Sequence, residues 1–141
     1  MIPVSDLEKK LTEALGKYKF GAFATVHDGQ PSLRYMQVFN DGLTILLATH
    51  RDTHKVDELE ANPKASLLLG LEGRLWPGEI VEVQGEVAIS TDEELKSDVW
   101  KSYFKKWLDG PHDPDYVILK LKPTLILYTE KDGEQQVWRP S

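Results

Sequence analysis

The stretch SLRYMQVFNDGLTILLATHRDTHKVDELEANP, Ser32 to Pro63, settles the fold class of this chain. SLRYMQVF and LTILLAT have the aliphatic, aromatic and β-branched make-up of strands, and NDG between them is a tight turn. So short a connection favours antiparallel pairing. THKVDELEANP then reads as about two turns of helix, stopped by Asn62 and Pro63.

Outward from this stretch the same grammar repeats. SDLEKKLTEALG predicts an opening helix: Ser5 and Glu8 have capping-box spacing, Leu7, Leu11, Ala14 and Leu15 repeat on one face, and Gly16 suits the exit. FGAFATV is a strand and HDGQP a turn. After the central helix come the strand KASLLLGLE, the loop GRLWPG and the alternating strand EIVEVQGEVAI, where Gly85 marks a bend or bulge. Thr91 and Glu94 form a second capping-box pair before DEELKSDVWKSYFKKWL, which predicts one long helix. Leu95, Val99, Tyr103, Trp107 and Leu108 share its apolar stripe, and Gly110 and Pro111 end it. YVILKLK, TLILYTE and QQVWR are the last strands. About seven strands interrupted by short helices exclude a doubly wound parallel sheet, which needs crossover helices throughout. The pattern is mainly β with short helices (α+β), an antiparallel barrel or sandwich in a single domain spanning residues 1–141.

Composition narrows the function. The net charge of −6 argues against nucleic acid as a partner, which demands a basic surface. No apolar run reaches membrane-spanning length, and MIPVSDLEKK lacks a basic start followed by an apolar stretch, so neither a membrane nor a secretory leader is expected. The chain has no cysteine, hence no disulfide framework and no thiolate chemistry; a cytoplasmic location is compatible with this.

The chemistry concentrates where the third strand hands over to the central helix. A helix start leaves backbone N–H groups unpaired and carries the positive end of its dipole. Thr49 and Thr53 add hydroxyls, Lys55 a full charge and His54 a ring nitrogen, a donor set for a phosphate-sized anion. On the preceding strand Arg34, Met36 and Val38 share one face and Tyr35, Gln37 and Phe39 the other. A hairpin through NDG brings Arg34 near the corner, where its guanidinium can grip the same anion. The plainer readings are a helix cap at Thr53, a solvated strand arginine, and Lys55 paired with Asp57 or Glu58.

Other constellations carry less. His27, His50, His54 and His112 lack metal-site spacing; His50 and His54 could face together, but further ligands are wanting, so no metal is expected. Asp92, Glu93 and Glu94 read as dipole-favouring residues of a helix start. GPHDPD is a rigid turn that could line a cleft. Trp76 sits in a loop, as a ligand contact, a dimer contact or a loop anchor. Trp100, Tyr103, Phe104 and Trp107 exceed one stripe, giving core on one side and excess to cover another surface.

The order of pieces RYMQVF, NDG, LTILLAT, THK and DELEANP, with the late passage WKSYFKKWLDGPHDPDYVILKLKP, resembles the pyridoxamine phosphate oxidase-like family of FMN-binding split barrels, and within it the general stress protein branch. The likeness runs from about Leu7 to Tyr128. It implies a six- to seven-stranded split β-barrel of Greek-key type and FMN as cofactor. Carried over by position, Arg34 contacts the phosphate, Tyr35 and Met36 lie on the strand passing the flavin, Ala48 and Thr49 touch the ring or ribityl, and Thr53, His54 and Lys55 close round the phosphate. It further implies a homodimer with flavin at the subunit interface.

Departures shape the expected activity. His54 stands where many relatives carry arginine, Ile80 where a glutamine often contacts flavin, and Tyr128–Thr129 where a tryptophan often follows the aromatic. Phe39 and the ending VWRPS replace the substrate lysine and C-terminal Arg-x-His of true pyridoxamine phosphate oxidases, so that reaction is not expected. The resemblance implies a stress-related flavin-dependent oxidoreductase moving hydride or electrons between FMN and a small-molecule substrate or a nicotinamide donor. No acid, base or nucleophile stands out, as suits a cofactor that carries the chemistry. The alternatives are a non-catalytic binder or sensor of flavin, deazaflavin or haem, and a cofactor-free interaction module.

Overall fold

The computed structural model describes residues 5–70 and 78–141. Every strand pairing is antiparallel. The strands are β1 (Phe20–His27), β2 (Gln30–Gln37), β3 (Phe39–Asp41), β4 (Thr44–His50), β5 (Lys64–Gly70), β6 (Ile80–Ser90), β7 (Tyr116–Thr129) and β8 (Gln135–Trp138). Their order across one curled sheet is β2-β1-β5-β6-β7-β4-β3, with β8 on β7. The helices are α1 (Asp6–Lys17), α2 (His54–Ala61) and α3 (Glu93–Val99), the last followed by a 3-10 turn over Ser102–Lys106. This is the expected α+β split barrel; the GRLWPG loop with Trp76 lies largely outside the described residues.

Local chemistry explains the joints. β1 and β2 meet through Asp28–Gly29, with φ of 49° and 77°; two positive values make the primed turn whose twist matches a hairpin. At Gly85 the β6–β7 register shifts, as expected of a bulge. A Cβ there would lie 2.1 Å from the Lys122 carbonyl oxygen, so only glycine lets the backbones approach. The extra residue is Thr124 of β7, next to Pro123, which lacks a ladder N–H; the bulge accommodates that proline, and YVILKLK and TLILYT run on as one 14-residue strand.

Two further expectations change. The arginine strand is broken at Val38, whose N–H donates to the Lys19 carbonyl at 2.8 Å while its side chain is buried; Phe39–Asp41 then pairs with β4, giving eight strands among the described residues. The long helix is broken too. α3 stops at Val99 because Trp100 is extended (φ −55°, ψ 135°), edge-on to Phe104 and Tyr116 at 5.4 Å each. A continuous helix would spread its aromatics too widely for one buried face, and tertiary packing overrides propensity. Phe104 and Leu108 are buried, whereas the stripe members Tyr103 and Trp107 are 48% and 42% exposed. The Thr91–Glu94 box does not form: Asp92 occupies the cap position, without a side-chain bond. Ser5 does cap α1, accepting from the Glu8 N–H at 3.1 Å.

The core has two compartments. Inside the curl, Leu11, Phe23, Ile45, Leu67, Val83, Leu119 and their neighbours pack together under α1 and α2. Outside β4 and β7, a second cluster joins Leu46, Tyr116 and Ile118 to Val99, Phe104 and Leu108. β7 is therefore buried on both faces from Tyr116 to Leu119, which explains its unbroken apolar run. No helix among the described residues is long and apolar enough to cross a membrane.

Candidate functional site

A cavity of about 390 Å³ opens where β2, the end of β4, the start of α2 and the 3-10 turn meet. Seven of the eight residues singled out in the sequence line it: Arg34, Tyr35, Met36, Ala48, Thr49, Thr53 and Lys55. His54 does not; it is exposed at the head of α2. Gln37, Phe39, His50, Tyr103, Phe104 and Trp107 complete the lining. No carboxylate is among these residues, in a chain of net charge −6.

Arg34 sits at the base. Its Nη1 donates to the Phe23 carbonyl at 3.2 Å and to Thr25 Oγ1 at 2.9 Å, and its Nη2 to Ser32 Oγ at 3.0 Å. Nη2 also lies 3.6 Å from Glu58 Oε2, which accepts the Thr25 hydroxyl at 2.5 Å. Glu58 on α2 thus fixes the guanidinium without lining the cavity. Three hydrogen bonds do not exhaust five guanidinium donors.

Lys55, in the first turn of α2, faces the same space. It has no carboxylate or hydrogen-bonding partner among the described residues. Burial holds its ammonium below the usual lysine range, and the positive charge of Arg34 pushes it further down. The plain pairing with Asp57 or Glu58 is not made, and Thr53 is no side-chain cap: its hydroxyl donates to the His50 carbonyl at 3.0 Å. His50 accepts the Asp52 N–H on Nδ1 at 3.0 Å, and its Nε2 lies 3.8 Å from the Asp115 carboxylate. His50 and His54 therefore do not act together. His50, Asp52 and Asp115 group closely enough to hold an ion, although surface acidic groups are commonly found so without one.

The opposite wall is aromatic. Phe104 contacts Tyr103 and Trp107 with ring centroids 5.2 Å away in each case, and Phe39 edge-on at 6.5 Å. Sequence reasoning assigned this cluster to core or interface; the sign pointing to a site was its excess over one helical stripe. GPHDPD does not line the cavity. An apolar aromatic wall in a cavity that also holds two cations suits a ligand with an apolar ring at one end and an anion at the other.

The family model described as pyridoxamine 5'-phosphate oxidase matches residues 7–130. The chain belongs to the pyridoxamine 5'-phosphate oxidase family, in its general stress protein branch. It is 42% identical over 118 residues to general stress protein 26 of Bacillus subtilis strain 168, covering 84% of each chain. The solved general stress protein 26 of Bacillus anthracis strain Sterne superposes with a TM-score of 0.84 at 32% identity, over 96% of this chain and 100% of that one. Two more distant structures share the fold alone. One is a FAD-binding protein of Mesorhizobium loti (TM-score 0.68, 21% identity, 87% of this chain and 92% of that one). The other is a haem-binding protein of Mycobacterium smegmatis (0.75, 17%, 99% and 60%).

Proposed function

We propose that this protein binds FMN in the β2–β4–α2 cavity and serves as a flavin-dependent oxidoreductase of small molecules, with a nicotinamide as candidate donor. The observation that carries the reading is the convergence of Arg34 and Lys55, from separate segments, on one cavity with no carboxylate in its lining. Two cations held close repel each other unless an anion lies between them. The cavity volume falls within the range of cofactor sites.

Bound there, the flavin would supply reversible uptake of two electrons. The chain's own residues bind and orient. Arg34, Lys55 and the Thr53 segment at the head of α2 hold the phosphate. Ala48, Thr49 and Met36 flank the tail and ring, while Phe39 and Phe104 keep water from the ring. No lining carboxylate offers an acid–base partner, and the His50 ring is already engaged. That observation favours a second reading, a non-catalytic flavin binder.

A second copy of the chain completes the assembly in this proposal. Tyr35, Ala22, Leu68, Glu82, Leu127 and Val137 stand directly opposite one another across six strands. Tyr35 is 85% exposed, and Leu68 and Val137 about half exposed, so an apolar face lies open beside the cavity. The experiment is a visible spectrum of the protein mixed with FMN, then anaerobic NADH or NADPH. Bleaching with reoxidation by an added acceptor supports turnover; bound but unbleached flavin supports the binder; no bound flavin contradicts both.

A further inference from the structure

Behind the aromatic wall lies a lysine in unusual surroundings. Lys96 on α3 is 2% exposed, although lysine is almost never fully buried unless paired. Its Nζ donates to the Asp113 carbonyl at 3.1 Å and to the Glu93 carboxylate at 3.4 Å, and lies 5.4 Å from the centre of the Tyr116 ring. The Tyr116 hydroxyl donates back to the Lys96 carbonyl at 2.9 Å.

The loop that Lys96 grips runs from Asp109 to Asp115. The Asp113 carboxylate accepts the N–H groups of Asp109 and Asp115, each at 2.9 Å. At its far end the loop meets the phosphate corner: the Arg51 N–H donates to the Asp115 carbonyl at 2.7 Å, and the Asp115 carboxylate approaches His50. On its other flank Tyr116 packs against Phe104, the centre of the aromatic wall, at 6.2 Å. One buried ammonium is thus linked to both sides of the cavity without touching it: through Tyr116 to Phe104, and through the 109–115 loop to His50. Buried ionic groups add little net stability, but in some proteins they select one arrangement among several, because the others leave a charge unsatisfied.

We propose that Lys96 is a positioning residue for the cofactor cavity: by pinning the 109–115 loop it fixes the aromatic wall relative to the β4–α2 corner. The role rests on reading that cavity as the FMN site. Lys96→Met keeps an unbranched side chain one atom shorter and removes its donors. Asp113→Ala loosens the same loop from its partly exposed side and serves if the buried substitution prevents folding.

The test is amide hydrogen exchange on the cofactor-free variants, with FMN titration alongside. Exchange at Arg51 should quicken at least tenfold in both, while Val83 in the β6 ladder keeps its protection. FMN affinity should fall about tenfold, and the double variant should be no worse than the stronger single one, since both cut one path. Unchanged exchange at Arg51, equal acceleration at Val83, or unaltered FMN affinity would each overturn the proposal. If the unsubstituted protein binds no FMN, the cofactor reading fails, while the exchange data still decide whether Lys96 couples the two walls.

Discussion

Lys55, the phosphate ligand of the proposed site, is a liability to the protein without cofactor. Its folded pKa lies below the ordinary lysine value of 10.5, first from burial and then from Arg34, so the protonated form is disfavoured by folding. That penalty is present below the folded pKa and vanishes above the unfolded one. Lys55→Met should therefore leave the empty protein at least as stable as the parent at pH 7, by thermal melting, while weakening FMN. A phosphate restores the pKa, so binding favours protonated Lys55. FMN affinity should fall as pH rises through the folded pKa of Lys55, and this fall should flatten in Lys55→Arg, whose charge persists. Arg34→Ala differs: besides losing a charge-assisted contact of roughly 1.5–3 kcal/mol, it leaves Glu58 without its cation, so both binding and melting temperature should drop.

At the scale of elements, two joints carry the fold. Gly85→Ala forces a Cβ against the Lys122 carbonyl and should cost roughly 1–3 kcal/mol in urea unfolding. The other joint is Glu79, buried just ahead of β6, which ties α1 to β7. Burial would raise its pKa, but hydrogen bonds from the hydroxyl of Tyr128, the ammonium of Lys17 and the hydroxyl of Tyr18 bring it below the usual value. A depressed carboxylate stabilises above its unfolded pKa of 4.5 and loses this as pH falls through the folded one. Glu79→Gln should be less stable than the parent at pH 7, and the gap should shrink below about pH 4.5. Most elements were legible because alternation, tight turns and Gly85 are local signals. The break at Trp100 was not, because its cause is the distant ring of Tyr116. The split at Val38 was hidden likewise, since its N–H partner is Lys19. The site was half legible: Arg34, Thr49 and Lys55 lie in consecutive segments joined by a hairpin, whereas Tyr103, Phe104 and Trp107 arrive only once the helix breaks.

The whole molecule presents a one-sided problem, a barrel whose β2-β1-β5 face is apolar and open. Leu33, 69% exposed, lies on that face away from the cavity lining. Leu33→Glu should convert a two-chain particle to one chain by light scattering, with FMN affinity reduced if a second copy closes the site. Fold and cavity leave the assignment resting on one electrostatic proposition, that Arg34 and Lys55 together hold a phosphate. The direct measurement is a cycle of affinities: FMN and riboflavin, each titrated into the parent and into Lys55→Ala. The account predicts that the parent prefers FMN over riboflavin by at least about tenfold, one lost charge-assisted contact, and that the substitution erases most of that preference while sparing riboflavin. Equal affinity of the parent for both ligands, or an equal loss for both on substitution, would contradict it.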